Sequence, residues 1–304
     1  MDSDVVAAAD RAARAWTADA SGPLVPGTPA HRTAYCRMLL DTFNPYKPSI
    51  IDWPKLDDEA RSRLLGLPIW DIAVQTEGKA MRRVQSYADT VGDPLLKEAM
   101  TLNAWEEGRH KEVLSNLVQA YGIALAPEPE YRRPRNPLWA FLVTGYSECI
   151  DSFFAFGLFE LAKRSGYFPP DLVETFEPVI QEEGRHILFF ANWVAWHRRN
   201  LPLWRRPGFA LTVAAVWLFL VWERIGIARG LGNDAPPQDN NFTVTGSKAI
   251  GVEVSPGALM DLCLAENERR LAGYDPRLVR PATMPWLVRL ARRFLGPRTA
   301  EATP

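Results

Sequence analysis

The sequence contains few cysteines and lacks the signals of an exported protein. Its 304 residues include three cysteines, which are widely separated and form no CxxC pair (Cys36, Cys149 and Cys263). An odd number at such spacing does not indicate a disulfide framework. The N-terminus begins with acidic residues and has no basic region followed by an apolar one, so a secretory signal is not predicted. Together these features favour a reducing, cytoplasmic location.

The chain also lacks an excess of charge of one sign and any useful segment with the two-residue periodicity of a strand. Its 35 Lys and Arg residues balance 36 Asp and Glu residues, so no nucleic acid partner is predicted. Several long segments carry apolar residues at helical spacing instead. With 47% hydrophobic residues the chain can bury a large core. We therefore expect an all-α protein.

The longest uncharged segment is too short to indicate a membrane span clearly. Sixteen residues without charge lie between Arg206 and Glu223, whereas a bilayer requires roughly 20 apolar residues. We interpret the segment 207–222 as a buried helix of a bundle. The alternatives are a helix that lies on the membrane surface, for which Arg205 and Arg206 would be suitable neighbours, and a true span.

One pentapeptide, Glu-Glu-Gly-Arg-His, occurs twice, at 106–110 and at 182–186, an interval of 76 residues. Each copy holds a Glu and a His three positions apart, Glu107 with His110 and Glu183 with His186. At this spacing both side chains project from one face of a helix and can bind the same metal ion. Two such helices supply four of the six ligands of a dinuclear site, and the other two are one carboxylate from each of two further helices.

Helical spacing and cap residues divide the chain into three parts. The first part, 1–67, is predicted to contain an N-terminal helix at 1–20, a proline-containing linker at 21–30 and a turn-rich arm at 41–56 that lies across a core. The second part, 68–200, is predicted to form a four-helix bundle from helices at about 68–89, 93–122, 137–163 and 171–200, with Pro178 bending the last one. The third part, 201–304, is predicted to contain helices at about 208–229, 255–272 and 284–296 that pack on the bundle, and a long loop at 230–254.

The first missing carboxylate follows from the geometry of a helical hairpin. In an antiparallel pair, residues equidistant from the turn lie at the same height. The first turn is centred near position 92, Glu77 precedes it by 15 residues and Glu107 follows it by 15. Glu77 is also the one charged residue on the apolar face of its helix. The sequence therefore predicts that Glu77 and Glu107 meet.

The second missing carboxylate is less well defined. The second turn is centred near 167, so the residues level with Glu183 are Asp151 and Ser152. Glu148 is off by about one helical turn, which a loose connection could absorb. Glu148 and Asp151 share a face, so one of them is expected to bind the metal while the other lies behind it. The arithmetic slightly favours Asp151.

This ligand set resembles that of the ferritin-like di-iron carboxylate superfamily, which includes bacterial multicomponent monooxygenases, acyl-carrier desaturases, ribonucleotide reductase small subunits and rubrerythrins. The resemblance covers about 68–200 and rests on six positions, Glu77, Glu107, His110, Glu148, Glu183 and His186. It implies a ferritin-like four-helix bundle with additional N- and C-terminal helices, and a cofactor of two iron ions. The intervals from 77 to 107 and from 148 to 183 resemble those of the family, which favours Glu148 over Asp151.

The surrounding residues suggest which metal binds. Four carboxylates inside an apolar bundle would be costly unless two divalent cations neutralised them. Oxygen ligands with two imidazoles and no thiolate favour iron, or a mixed manganese–iron centre, over structural zinc. Glu106 and Glu182 either accept hydrogen bonds from the opposite histidines or lie solvated on the helix surface. Arg109 and Arg185 are expected to pair with neighbouring acids.

The leading functional hypothesis is a di-iron oxidase or oxygenase that activates dioxygen and acts on an apolar or aromatic small molecule. An electron-donor protein and a second copy of the chain are further candidate partners. One alternative is iron handling, as a ferroxidase or storage protein without an organic substrate. Another is a membrane-surface di-iron oxidase of a quinone-like lipid, which depends on the segment 207–222. The sequence does not identify the substrate.

Overall fold

The computed structural model describes residues 3–67, 69–228 and 254–294, and all regular structure within them is helical. Two isolated residues, Trp16 and Tyr274, form a β-bridge. The predicted loop at 230–254 lies outside the described residues except for its last residue, as does the end of the helix predicted at 284–296. The helices are α1 (Ser3–Ala13), α2 (Pro29–Asp41), α3 (Asp58–Leu65), α4 (Trp70–Ala88), α5 (Pro94–Tyr121), α6 (Pro137–Ser165), α7 (Pro170–Thr175), α8 (Glu177–Asn200), α9 (Arg206–Ala228), α10 (Pro256–Leu271) and α11 (Thr283–Arg292).

The four long helices α4, α5, α6 and α8 pack against one another and form the centre of the molecule. The side chain of Asp93 caps α5 by accepting a hydrogen bond from the N–H of Leu96 at 2.9 Å, and Asn136 caps α6 in the same way. In both helices a proline follows the cap, where its missing N–H costs no helical hydrogen bond. The cap and proline signals in the sequence therefore position these two helices correctly.

The core of this bundle consists of two apolar clusters with a polar layer between them. One cluster lies toward the turn between α4 and α5 and includes Val84, Met100 and Trp193. The other lies toward the opposite end and includes Trp70 and Leu117. The helical segments between the two clusters carry both copies of the repeated pentapeptide. A buried polar layer held between two apolar clusters is shielded from water on both sides.

The fourth predicted helix is two helices. Phe176 (φ −90°, ψ −7°) separates α7 from α8, where one helix from about 171 to 200 with a bend at Pro178 was expected. Pro178 lies in the first turn of α8, where no intrahelical partner is needed for its missing N–H. Proline therefore starts a new helix here and does not bend an existing one.

A helix that was not expected, α2, packs against α5 and α8. Prolines near its start favour a linker interpretation, but Pro29 occupies the first turn and the Thr28 hydroxyl accepts a hydrogen bond from the N–H of His31 at 3.2 Å. Tyr35 and Leu39 are completely buried in the main core. The helix α1 ends at Ala13, earlier than the predicted position 20.

The helix α9 is not the buried bundle helix that was expected. The segment Leu203–Arg224, which consists of a short helical turn and most of α9, is the one helical segment within the described residues that is long and apolar enough to cross a membrane, with a mean hydropathy of 1.2. Of this segment 17% is buried. Phe209, Val216 and Leu220 face the core, whereas Leu211 and Leu218 are 72% and 71% exposed. Burying one face was enough to dock α9 on α6, and the other face remains apolar and exposed.

Candidate metal centre

Four side chains from the two copies of the pentapeptide converge between α5 and α8. One ligand atom from each of Glu107, His110, Glu183 and His186 lies within 4.8 Å of the other three, so that the group could hold a metal ion. Nδ1 of His186 is 2.8 Å from Oε1 of Glu107, and Nδ1 of His110 is 3.1 Å from Oε1 of Glu183. Both Nδ1 atoms and Glu107 Oε1 are buried without a hydrogen-bond partner, although they lie close to one another. Nitrogen and oxygen lone pairs that converge without hydrogen bonds are suited to a shared cation.

The structure places Glu77 and Glu148 next to this group. Glu77 projects from α4, and its Oε2 is 3.8 Å from Nδ1 of His110. Glu148 projects from α6, and its Oε1 is buried without a hydrogen-bond partner. Burial raises the pKa of Glu148 well above its usual value, and the nearby charges of Glu107 and Glu183 raise it further. Each of the four long helices therefore contributes at least one acidic side chain to one buried layer.

Asp151 lies outside this layer, although the hairpin arithmetic favoured it. Its carboxylate accepts hydrogen bonds from Arg224 Nη2 at 2.8 and 2.9 Å and from the hydroxyl of Ser147 at 2.9 Å. The arithmetic nevertheless placed Asp151 and Ser152 at the correct level along the bundle, since the hydroxyl of the neighbouring Ser152 donates a hydrogen bond to Glu183 at 3.2 Å. Symmetry about a turn gives the height of a residue but not the direction of its side chain.

Glu106 and Glu182 bind the histidines crosswise. Nε2 of His186 is 2.8 Å from Glu106, on the other copy of the motif, and Nε2 of His110 is 2.8 Å from Glu182. A carboxylate accepts hydrogen bonds, so each Nε2 carries a proton and each Nδ1 is directed to the centre, where its lone pair is available to a metal ion once the ring is neutral. Burial would raise the pKa of Glu106, but Arg185 and His186 lower it to about 2. Both glutamates are completely buried, so the alternative of solvated surface charges does not apply.

The arginines of the motif hold the same crosswise arrangement. Arg185 Nη1 donates to Glu106 at 2.9 Å, and Arg109 forms a close ion pair with Glu182. Arg185 also donates to the Thr42 hydroxyl at 2.8 Å and to the carbonyl of Leu39 at 2.5 Å. The end of α2 and the segment after it therefore fix the position of this guanidinium. These pairs are the ion pairs with neighbouring acids that the sequence predicted.

Tyr46 is a member of the site that sequence reasoning did not identify. Its hydroxyl donates a hydrogen bond to Glu182 Oε2 at 3.1 Å, and its ring lies 3.8 Å from the guanidinium carbon of Arg109. Burial raises the pKa of Tyr46 above its usual range. It lies in the turn-rich segment 41–56, which was expected to cross the core, but no pattern in that segment singles out one residue.

The side chains around the candidate metal centre form two layers of different charge, and the inner one, which contains the metal-ligand candidates, could hold a cation. The outer layer consists of Glu106 and Glu182 with Arg185 and Arg109. Each glutamate pairs with one arginine, so the outer layer is neutral overall. In the inner layer, four carboxyl groups surround two imidazoles, which would give four negative charges if all four carboxyl groups were ionised and both imidazoles neutral (Glu77, Glu107, Glu148, Glu183). Burying an uncompensated charge costs several kcal/mol. Metal cations would offset this charge, and the residues present fit a metal ion.

Without metal, the inner layer must retain protons. Burial opposes protonation of His110, but the carboxylates around it, Glu182 first, outweigh burial and raise its pKa well above the usual value. The pKa of Glu107 is raised, as is that of Glu148. The larger cause for Glu107 is burial, and the next is the charge of Glu183. Because a metal ligand must be deprotonated, metal binding is expected to release these protons.

A search against models of known protein families found no match for this chain. Searches of curated proteins and of solved structures found no significant match either. The functional interpretation therefore depends on the geometry and charge of the site.

Proposed function

We propose that the protein is a ferritin-like di-iron oxidase or oxygenase that activates dioxygen and oxidises an apolar small molecule. The observation that carries this proposal is the buried convergence of Glu107, His110, Glu183 and His186, whose ligand atoms lie within 4.8 Å of one another. Glu77 and Glu148 lie beside this group, and the resemblance implies that they are the remaining two of six ligands. Iron ions held by these residues would supply the electrons that reduce dioxygen, which is the chemistry needed to oxidise an organic substrate.

The protein's own contribution is to hold the ligands in position and to exclude water. Glu106 and Glu182 fix the histidine orientation, so that both Nδ1 atoms face the centre before any metal binds. The apolar clusters above and below the layer keep water out, which strengthens every electrostatic interaction inside it. The oxygen-rich donor set is suited to two iron ions or to a manganese–iron pair. An electron-donor protein would return the centre to its reduced form between turnovers.

The test is anaerobic loading of the metal-free protein with Fe(II), followed by exposure to dioxygen. We expect dioxygen uptake and an optical change in the wild type, and neither in the Glu107→Ala variant. The matched control is Glu98→Ala, which replaces an exposed glutamate of the same helix and should behave as the wild type. Wild-type protein that neither consumes dioxygen nor changes its spectrum would refute the proposal. Iron oxidation that runs to completion without turnover of any organic compound would favour the ferroxidase alternative.

A second candidate function, oxidation of a quinone-like lipid at a membrane surface, is favoured by the exposed apolar face of α9. Leu211, Leu218 and Trp222 lie on one side of this helix, and Leu203 and Trp204 are exposed just before it. An exposed apolar face of this kind is suited to the boundary between lipid headgroups and acyl chains.

Flotation with phosphatidylglycerol vesicles tests this second function. We expect the wild-type protein to float with the vesicles and the Leu211→Glu/Leu218→Glu variant to remain in solution. The matched control is Leu65→Glu, which changes an exposed leucine on α3 and should leave flotation unchanged. The second function is rejected if the wild type stays in solution or if the double variant floats equally well.

A further inference from the structure

A pocket of about 230 Å³ lies between α6, α8, α9, α10 and the segment that leads into and begins α11. Most of its walls are aromatic or apolar side chains, among them Tyr146, Phe190, Val194, Trp217 and Met284. An apolar cavity of about 150 Å³ is large enough to bind benzene. The pocket can therefore hold one aromatic ring that carries a short substituent.

Two polar side chains in the wall of this pocket have hydrogen-bond donors without an acceptor. Arg280 Nη2 donates to the carbonyl of Tyr274 at 2.7 Å, whereas its Nη1 is buried without a hydrogen-bond partner. Within the described residues no carboxylate forms a salt bridge with Arg280. Asn267, 7% exposed, also lines the pocket, and its amide makes no hydrogen bond in the same part of the chain. A buried donor without an acceptor, such as Arg280 Nη1, is costly, and the free amide of Asn267 offers a second donor, which together favour a ligand that brings oxygen atoms to them.

The start of α11 adds a further preference for an anion. Thr283 is the first residue of this ten-residue helix and lines the pocket. Ala282, which precedes it, provides no side-chain cap for the first N–H groups. A helix N-terminus with unsatisfied N–H groups carries partial positive charge and favours a negative group. An arginine and a helix N-terminus thus meet in one largely apolar pocket.

The pocket adjoins the candidate metal centre. Cys149, in its wall, directly follows Glu148, and Phe190 lies one helical turn after His186. The ring of Phe190 lies so close to α6 that a Cβ added at Gly145 would be 2.2 Å from it. Residues adjacent to two metal-ligand candidates therefore form the inner wall.

We propose that this pocket binds an apolar carboxylate the size of one substituted aromatic ring, with the carboxylate on Arg280 and Asn267 and the ring among the aromatic side chains. A guanidinium can donate two parallel hydrogen bonds to a carboxylate, and this pairing is stronger than that with a neutral oxygen. The statement that this ligand is also the substrate rests on the proposed function, whereas the binding site itself is independent of that function.

The experiment is isothermal titration of the full-length protein, with and without iron, using phenylacetate and its neutral match phenylacetamide as probes. We expect saturable binding with a preference for phenylacetate. Arg280→Met should weaken phenylacetate binding by about tenfold or more, since it removes hydrogen bonds to a charged group. It should leave phenylacetamide binding nearly unchanged, and Arg280→Lys should retain part of the preference. Ala191→Phe, which fills the pocket, should abolish binding of both probes.

The matched control is Arg164→Met, which replaces an exposed arginine that pairs with Glu160 at the end of α6. This variant should bind both probes as the wild type does. The proposal is overturned if the wild type binds neither probe, if it binds both equally, or if Ala191→Phe has no effect. Equal weakening of both probes by Arg280→Met would also overturn it, because that result indicates a structural role. Binding by the metal-free protein without oxidation of the probe in the iron-loaded protein would leave the binding site intact and reject this pocket as the substrate site of the proposed function.

Discussion

Replacing Glu106 with glutamine removes one charge from a buried ion pair and nearly preserves the shape of the side chain. Glu106 and Arg185 are both 0% exposed and are 2.9 Å apart, so no water can compensate the remaining guanidinium. Removing one partner of a buried pair costs about 3–5 kcal/mol. Arg185 retains its hydrogen bonds to Thr42 and Leu39 and lies 3.9 Å from Glu182. We therefore expect a loss near the lower limit, about 3 kcal/mol, which is a large part of the roughly 5–15 kcal/mol of a typical domain.

The assay is urea unfolding of the metal-free protein, with Glu160→Gln as the control. Glu160 pairs with Arg164, which is 63% exposed, so its replacement should cost no more than about 1 kcal/mol. The double variant Glu106→Gln/Arg185→Gln should be less destabilised than the sum of the two single variants, since it leaves no charge unpaired. If Glu106→Gln costs no more than the control, or if the two single effects simply add, the crosswise ion pair does not stabilise the fold.

Three further predictions follow from the site. Between pH 7 and 9 the stability of the metal-free protein should fall by about 1.4 kcal/mol per pH unit for each proton that the folded state alone retains. Stability falls with rising pH because the raised pKa values of His110, Glu107 and Glu148 make the folded state bind more protons than the unfolded state. In the metal-loaded protein the metal replaces these protons, so urea titrations of that form should not show this fall. Metal affinity measured by competition with a chelator should rise over the same range, and an affinity independent of pH would contradict the assignment. Gly184→Ala should stabilise by about 0.5–1 kcal/mol in thermal unfolding, because a Cβ there meets no atom closer than 3.8 Å. Gly108→Ala should gain less, because its Cβ would lie 3.0 Å from the Met81 sulfur; equal gains would refute the packing argument.

The sequence predicts the centre of the site well because its main features are local. Spacing of three residues within a helix determines that Glu107 and His110 share a face, and the repeat applies the same rule to α8. A short turn makes the hairpin of α4 and α5 nearly symmetric, so Glu77 could be placed by counting. The all-helical character also follows from local periodicity, and the described residues confirm it.

The remaining features depend on contacts between distant segments. The connection between α6 and α8 contains α7, and the pairing of Asp151 with Arg224 involves a helix more than 70 residues away. Neither can be read from spacing within one hairpin. Tyr46 reaches the site because the segment after α2 packs on the arginines of the motif. The exposed face of α9 was missed because apolar composition predicts burial, whereas actual burial depends on which neighbours the fold supplies.

The central claim is that two metal ions bind between the two copies of the pentapeptide. Crystallographic anomalous scattering from iron-loaded protein at the iron edge tests this claim most directly. We predict two peaks in the buried layer, one beside Nδ1 of His110 and one beside Nδ1 of His186, with Glu77 and Glu148 at the sides. A single peak, peaks away from this layer, or no iron after anaerobic loading would contradict the account.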